Sequence, residues 1–261
     1  MRILGMDTSC KPTGIALFSC GEISEDGKFS NSEINNYLNS GKMEAILVVE
    51  NDRSRAESIL PMIEEMLSEA GISFSEIDGI AVGIGPGSFT GIRIGVTVAK
   101  TMVQFSNKKI YGISTLNALA YGWNKSNFLI CPVIDARADR IFAASYIEED
   151  YELVEVIKED LYFEKTLIPL LIDAVEKYNK EGIFFVGEGI ELHNNLKDSS
   201  NYYYEVAEGV NSKSPVEQIC KLSVKKSCRG EFDSELDLKP NYLRKSQAEM
   251  DRDKNGKKSC R

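Results

Sequence analysis

Histidine is nearly absent: the 261 residues carry one, His193. A metal site built from several imidazoles is therefore excluded. A Ser-His-Asp triad would have to use His193, which sits in the polar stretch GIELHNNLKD and reads as a surface helix residue. The six cysteines, Cys10, Cys20, Cys131, Cys220, Cys228 and Cys260, form no C-x-x-C pair. Zinc and dithiol redox motifs are thus unsupported, and reduced thiols are the expectation. Basic charge is also short, with 31 Lys and Arg against 40 Asp and Glu and a net charge of −9. An acidic chain repels a phosphate backbone, which argues against stand-alone nucleic-acid binding. No apolar run reaches membrane-spanning length. The opening MRILGMDTSC has no signal-peptide layout, so a cytoplasmic protein is expected. The length suits one large domain or two modest ones.

What is present is organised around one stretch, GIGPGSFTGIRIGVTVAK, from Gly83 to Lys100. It follows a short apolar run, Gly79 to Val82, that reads as a buried strand. Gly83, Gly85 and Gly87 permit a tight turn, and Pro86 stiffens it. Ser88 or Thr90 can cap the helix that follows. That helix carries Gly91, Gly95 and Ala99 at a spacing of four, so one face is nearly bare. Two uses are open: an anion site at the helix start, or close approach of another backbone. The glycines fit a dinucleotide fingerprint poorly and lack a Walker lysine, so the plainer reading is a tight turn and a packed helix. Arg93 would then face solvent or a partner.

In chain order, Arg2 to Asp7 reads as a buried strand ending in a carboxylate, and Ile15 to Phe18 as its hairpin partner. The polar turn Asp7, Thr8, Ser9 could hold a phosphate or metal, or only satisfy turn amides. Residues 20–42 read as an exposed excursion with a weak helix near Glu33 to Leu38. Ile46 to Val49 is a strand. A helix follows, with Ser54 and Glu57 as a capping box and Gly71 as its stop. Ile59, Leu60, Met62, Ile63, Met66 and Leu67 cover more than one face of it, which predicts either two partners or full burial. Ile110 to Ile113 closes the first half. The second half begins alike: Leu129 to Ile134 ends in Asp135, and Arg140 to Ile147 pairs back. An acidic loop, Glu148 to Glu152, then leads to a strand at Leu153 to Ile157. A helix at Thr166 to Tyr178, a strand at Ile183 to Val186 with Gly187, Glu188 and Gly189 behind it, and a helix at Ser214 to Cys228 complete the pattern. The charged tail from Asp251 reads as disordered.

Six pieces carry a family resemblance: ILGMDTS (Ile3 to Ser9), ESILPMIEEML (Glu57 to Leu67), VGIGPGSFTGIRIGVTVAK (Val82 to Lys100), PVIDARADRIFAA (Pro132 to Ala144), VGEG (Val186 to Gly189) and KPNYLR (Lys239 to Arg244). Together they resemble the TsaB (YeaZ) family, the accessory subunit of bacterial tRNA threonylcarbamoyladenosine synthesis. The resemblance implies an α/β, actin-like (ASKHA) fold of two RNase H-like lobes, each a mixed sheet flanked by helices. The repeated Asp-ended hairpin fits that duplication on its own. The expected division is 1–113 for the first lobe, 114–245 for the second and 246–261 for a disordered tail.

The resemblance also implies that the chain is not itself a catalyst. It would be a scaffold that binds the transferase TsaD and, with TsaE, supports threonylcarbamoyl transfer to the adenosine beside the anticodon. TsaD holds a metal with a helical pair of histidines. The matching position here, Arg53 to Glu57, has none, and Arg55 and Ala56 replace the family's usual His-Ser. No metal and no cofactor of its own are expected, with ATP or ADP held only at the level of the complex. Asp7, Thr8, Ser9, Asp135, Gly187, Glu188 and Gly189 would line a vestigial nucleotide cleft in which Glu188 opposes polyphosphate. The partner face is expected at Ile59, Met62, Ile63 and Met66 with Gly85, Pro86, Gly87, Ser88, Phe89, Thr90, Gly91, Arg93, Gly95 and Ala99. The same face would form a homodimer when TsaD is absent, and tRNA would be met only through the complex. Two other classes stay open. A kinase or ATPase of the same fold is opposed by Glu188 and by the lack of a phosphate-loop glycine. A peptidase is opposed by the lone His193.

Overall fold

The computed structural model describes residues 1–23, 29–49, 58–137, 139–189, 202–208 and 214–243. Its first element is a hairpin, β1 (Arg2–Asp7) with β2 (Thr13–Ser19), paired from Arg2↔Ser19 to Asp7↔Gly14. Neither strand alternates, because both faces of the sheet are covered and every interior position is buried. β3 (Lys42–Val49) adds antiparallel to β2. β4 (Gly79–Gly83) and β5 (Lys109–Ile113) add parallel on the other side, giving the order β3-β2-β1-β4-β5. Parallel neighbours need crossovers. α2 (Ile59–Ala70) lies between β3 and β4 in the chain, and α3 (Phe89–Gln104) connects β4 to β5. α1 (Asn31–Ser40) lies in the β2–β3 connection, started by a reciprocal Ser30–Glu33 capping box.

The second sheet repeats the plan. β6 (Phe128–Asp135), β7 (Arg140–Glu149) and β8 (Glu152–Phe163) run antiparallel, and β9 (Gly182–Val186) and β10 (Tyr204–Val206) add parallel beside β6. The order β10-β9-β6-β7-β8 is that of the first sheet read in reverse. Asp135 therefore ends β6 where Asp7 ends β1.

Layering follows from the alternation of side chains across each sheet. Leu4, Met6, Ile15, Leu17, Ile80 and Val82 face α2 and α3. Ile3, Ala16, Phe18, Ala81 and Tyr111 face α1 and α6 (Val216–Cys228). On the second sheet, Ile130, Ile134, Phe142, Tyr146 and Phe184 face α4 (Thr115–Ala120), and Leu129, Cys131, Val133, Ile141 and Phe185 face α5 (Glu164–Lys177). α4 and α6 pack on each other between the sheets. α6 falls within the range 114–245 expected for the second lobe, yet it covers the first sheet with Val216, Ile219, Cys220 and Val224. Its apolar stripe is complementary to a bare sheet face, and among the described residues it covers that face of the first sheet together with α1 and Ala118 of α4.

Several local expectations shift. Gly71 stops α2 in the left-handed region, φ 66°, as expected of a helix-ending glycine. The Ser54–Glu57 box, Arg55, Ala56, His193 and the tail lie outside the described residues, and α2 as described begins after Ser58. The acidic loop at 148–152 is a two-residue turn, with Asp150 at φ 48° and Tyr151 at φ 61°. β8 extends to Phe163, well past the expected Ile157, because it pairs along almost all of β7.

Candidate functional site: the central loop and the lobe junction

The turn after β4 is stitched to the turn after β1. Ser88 N–H donates to the Ser9 carbonyl at 2.8 Å, and Thr8 Oγ1 donates to the Gly91 carbonyl at 2.6 Å. Ser88 also caps α3, its Oγ accepting the Gly91 N–H at 3.3 Å. A methyl group at Gly95 would sit 2.5 Å from Thr8 Oγ1, and one at Gly91 would land on the Thr8 carbonyl. Ala99 is fully buried in the first core. The bare face of α3 therefore receives the chain's own first turn at Gly91 and Gly95. Gly91, Gly95 and Ala99 are corrected accordingly from partner contacts to internal packing.

The same correction holds for Ile59, Ile63 and Met66, which are buried against the sheet, and for Gly85 and Pro86, buried in the central turn. Gly87 backs directly onto Ser9. A helix lying on a sheet spends its apolar stripe there. Among the expected interface residues, Met62, Gly87, Ser88, Phe89, Thr90, Gly91 and Arg93 keep access to solvent. Beside them the sequence reading missed an outer row. Leu60 is 45% exposed, Ile94, Val98 and Met102 are half-buried, and Phe105 at the end of α3 is 83% exposed. The spacing of Ile94, Val98 and Met102 was the available signal.

The start of α3 is held from a third side by the C-terminal segment. The Asn241 N–H donates to the Ile84 carbonyl at 2.7 Å, and Lys100 Nζ donates to the Leu238 carbonyl at 3.2 Å. Tyr242 stacks on Phe89 with ring centres 4.5 Å apart, and the Arg93 guanidinium lies 5.5 Å from the Phe89 ring centre. The KPNYLR motif is thus a clasp on the central loop, as far as Leu243. Its anchor is Glu159 on β8. That carboxylate accepts from Ser114 Oγ, from Tyr146 Oη at 2.8 Å and from Asn241 Nδ2 at 3.2 Å. Burial, aided by the neighbouring Glu155, raises its pKa against the pull of these donors. Nothing in the run KED marks Glu159 as special.

At the lobe junction Asp7 is fully buried. It accepts Ser9 Oγ at 2.6 Å and the N–H groups of Ser9 and Cys10 at 3.2 and 3.3 Å. Burial raises its pKa and the bonds from Ser9 and Cys10 lower it. Ser9 Oγ lies 2.8 Å from Thr115 Oγ1 at the start of α4, so the polar turn ties the lobes together. Cys10 inserts among Leu116, Ile134, Phe184 and Val186 of the second lobe. Burial first, then the charges of Asp7 and Glu188, push its thiol pKa well up. Across the junction, Asp135 Oδ1 accepts the Arg137 N–H at 2.8 Å, and Gly187 and Gly189 lie against the backbone of Val133 to Asp135. The structure thus gathers the expected cleft residues in two groups, Asp7 to Ser9 and Asp135 with Gly187 to Gly189. Both Asp7 oxygens are engaged by the chain itself, and Glu188 adds negative charge opposite. These residues do not fit a magnesium-bound polyphosphate. Among the described residues, no three His, Cys, Asp or Glu side chains are placed to hold a metal. Among the same residues, no helix is long and apolar enough to cross a membrane.

Two five-stranded sheets of one topology, with helices on their outer faces and two more packed between them, define a two-lobed α/β protein of the actin-like, RNase H-like class. Residues 49–251 match the family model described as TsaD: tRNA N6-adenosine threonylcarbamoyltransferase. The chain is 30% identical to the tRNA threonylcarbamoyladenosine biosynthesis protein TsaB of Escherichia coli over 58% of its length and 57% of that protein's. It is 25% identical to the TsaB of Haemophilus influenzae over 94% of each. The solved structure of YeaZ from Pseudomonas aeruginosa superposes with a TM-score of 0.68, at 22% identity, covering 93% of this chain and 99% of that one. The chain belongs to the family that the matched family model describes, and along most of its length it is similar to the TsaB (YeaZ) proteins. The transferase of Persephonella marina is 32% identical over 45% of this chain, but that match spans only 33% of the transferase.

Proposed function

We propose that the protein is a non-catalytic subunit in tRNA threonylcarbamoyladenosine biosynthesis that binds a TsaD-type transferase through the outer side of α2 and α3. The pathway comes from the names of its relatives. The observation that carries the non-catalytic reading is the closure of Asp7. The carboxylate that ends β1 is fully buried and bonded to Ser9 and Cys10. No ATP or ADP is held by this chain alone, and no metal is required. TsaE joins at the level of the complex, and tRNA is reached through the transferase.

The partner face is the row left outside by the chain's own packing: Leu60, Met62, Ile94, Val98 and Met102, with Thr90 and Arg93 at its edge. These apolar side chains supply the area an interface needs, and Arg93 is of the type enriched at interfaces. A homodimer uses this row when the transferase is absent. Leu60→Asp and Val98→Asp test the reading by titration calorimetry with the transferase. Each places an unpaired carboxylate in the contact. Each should weaken binding at least tenfold, about 1.4 kcal/mol, while the free variant melts within a few degrees of the parent. Parent affinity in both variants removes the interface from this face.

A further inference from the structure

Lys225 of α6 and Arg229 just after it point at the second lobe. Lys225 is 93% covered at its side chain, being 7% exposed, yet it reaches Glu152 Oε2 at 2.8 Å and the Tyr151 carbonyl at 2.8 Å. Arg229 pairs with the other oxygen of Glu152. Its Nη2 also donates to Asn31 Oδ1 at 3.0 Å, and Asn31 Nδ2 donates to Asp150 Oδ2 at 3.2 Å. Asn31 is the first residue of α1. Asp150, Tyr151 and Glu152 form the β7–β8 turn, whose two central residues take positive φ without being glycine. Side-chain-bearing residues rarely adopt that conformation unless their surroundings hold them there. A cavity of about 230 Å³ adjoins, but its cations are already paired: Lys225 and Arg229 with Glu152, and Lys226 with Asp233 at 2.8 Å. They serve the turn and leave no free charge for an anionic ligand.

α1 and α6 rest on the first sheet, whereas the turn belongs to the second. We propose that α1, α6 and the β7–β8 turn form a latch that holds the two lobes at one fixed angle. Glu152 is its bolt, receiving Lys225 of α6 and Arg229 just after it. Asn31 braces it by bridging Arg229 and Asp150. The latch lies at a different place from the Ser9–Thr115 contact and from the Asn241–Glu159 clasp, so it adds a separate tie against rocking of the lobes. This inference is independent of which partner binds α2 and α3.

Cys10 reports lobe separation, since it belongs to the first hairpin but is buried among second-lobe side chains. Cys131 and Cys220 are each buried in a core that belongs to one sheet, and they report global unfolding. The full chain is treated with N-ethylmaleimide, and the modification rate of each cysteine is read by peptide mass spectrometry. Glu152→Gln, and Glu152→Gln combined with Asn31→Ala, should speed Cys10 at least tenfold, with Cys131 and Cys220 at parent rates. Parent rates at Cys10 in both variants overturn the latch. So does acceleration of all three cysteines together in both variants, because the contact is then part of general stability and not a hinge lock.

Discussion

Gly91→Ala separates internal packing from partner contact. The added methyl points at the Thr8 carbonyl, and a backbone atom cannot swing aside as a side chain could. Overpacking of this kind costs about 1–3 kcal/mol. Displacing Thr8 also loosens the 2.6 Å bond from its hydroxyl to the Gly91 carbonyl, worth about 1 kcal/mol. Alanine returns up to ~1 kcal/mol in helix propensity. The net loss is about 1–3 kcal/mol, a fall in Tm of roughly 3–10 °C for a chain of this size. The assay is thermal unfolding of the free chain by circular dichroism, paired with titration against the transferase at a temperature where the variant is folded. A lowered Tm with near-parent affinity is expected. An unchanged Tm with weakened binding would return the glycine stripe to the interface and refute the packing argument.

Three further outcomes follow from the site. The raised pKa of Glu159 means the folded state holds a proton there more tightly than the unfolded chain does, so this group's contribution is full below the ordinary value of 4.5 and is lost as pH rises through the folded value. Glu159→Gln should therefore gain stability relative to the parent as pH climbs above 4.5, and a Tm difference independent of pH contradicts this. The purified chain should show no steady-state ATP turnover. Turnover that disappears in Asp7→Ala would falsify the closed-cleft reading. The net charge of −9 predicts weak or no tRNA binding by the chain alone near physiological salt, and a tight, salt-sensitive gel shift without the transferase would overturn it.

Much of the fold is legible because each half announces itself twice, once by an apolar strand ending in Asp7 or Asp135 and again by the strand that pairs back. Caps are legible as well, since Ser88 and Gly71 act on their immediate neighbours. The partner face is not. A glycine row states only that something approaches closely, and the approaching atoms here belong to Thr8, 83 residues away from Gly91. The stripe of α6 likewise says that it covers a sheet, without saying which. β10 is three residues long and sits at an edge, too short to carry a pattern. Glu159 stands in a charged strand, and its role depends on Ser114, Tyr146 and Asn241 arriving from three other segments.

The placement of α6 bears on how the chain is made. Until residues 216–228 have left the ribosome, Ile3, Ala16, Phe18, Ala81 and Tyr111 lack most of their cover. At about 5–20 residues per second, the interval between completing β5 and completing α6 is on the order of 6–23 seconds. During that time the first lobe is a half-finished sheet with one greasy side turned outward. The nascent protein is thus most adhesive midway through synthesis, when a chaperone or a neighbouring nascent chain can compete with α6 for that side. It also means that the first lobe is not a separable piece: residues 1–113 alone would carry the same uncovered face permanently.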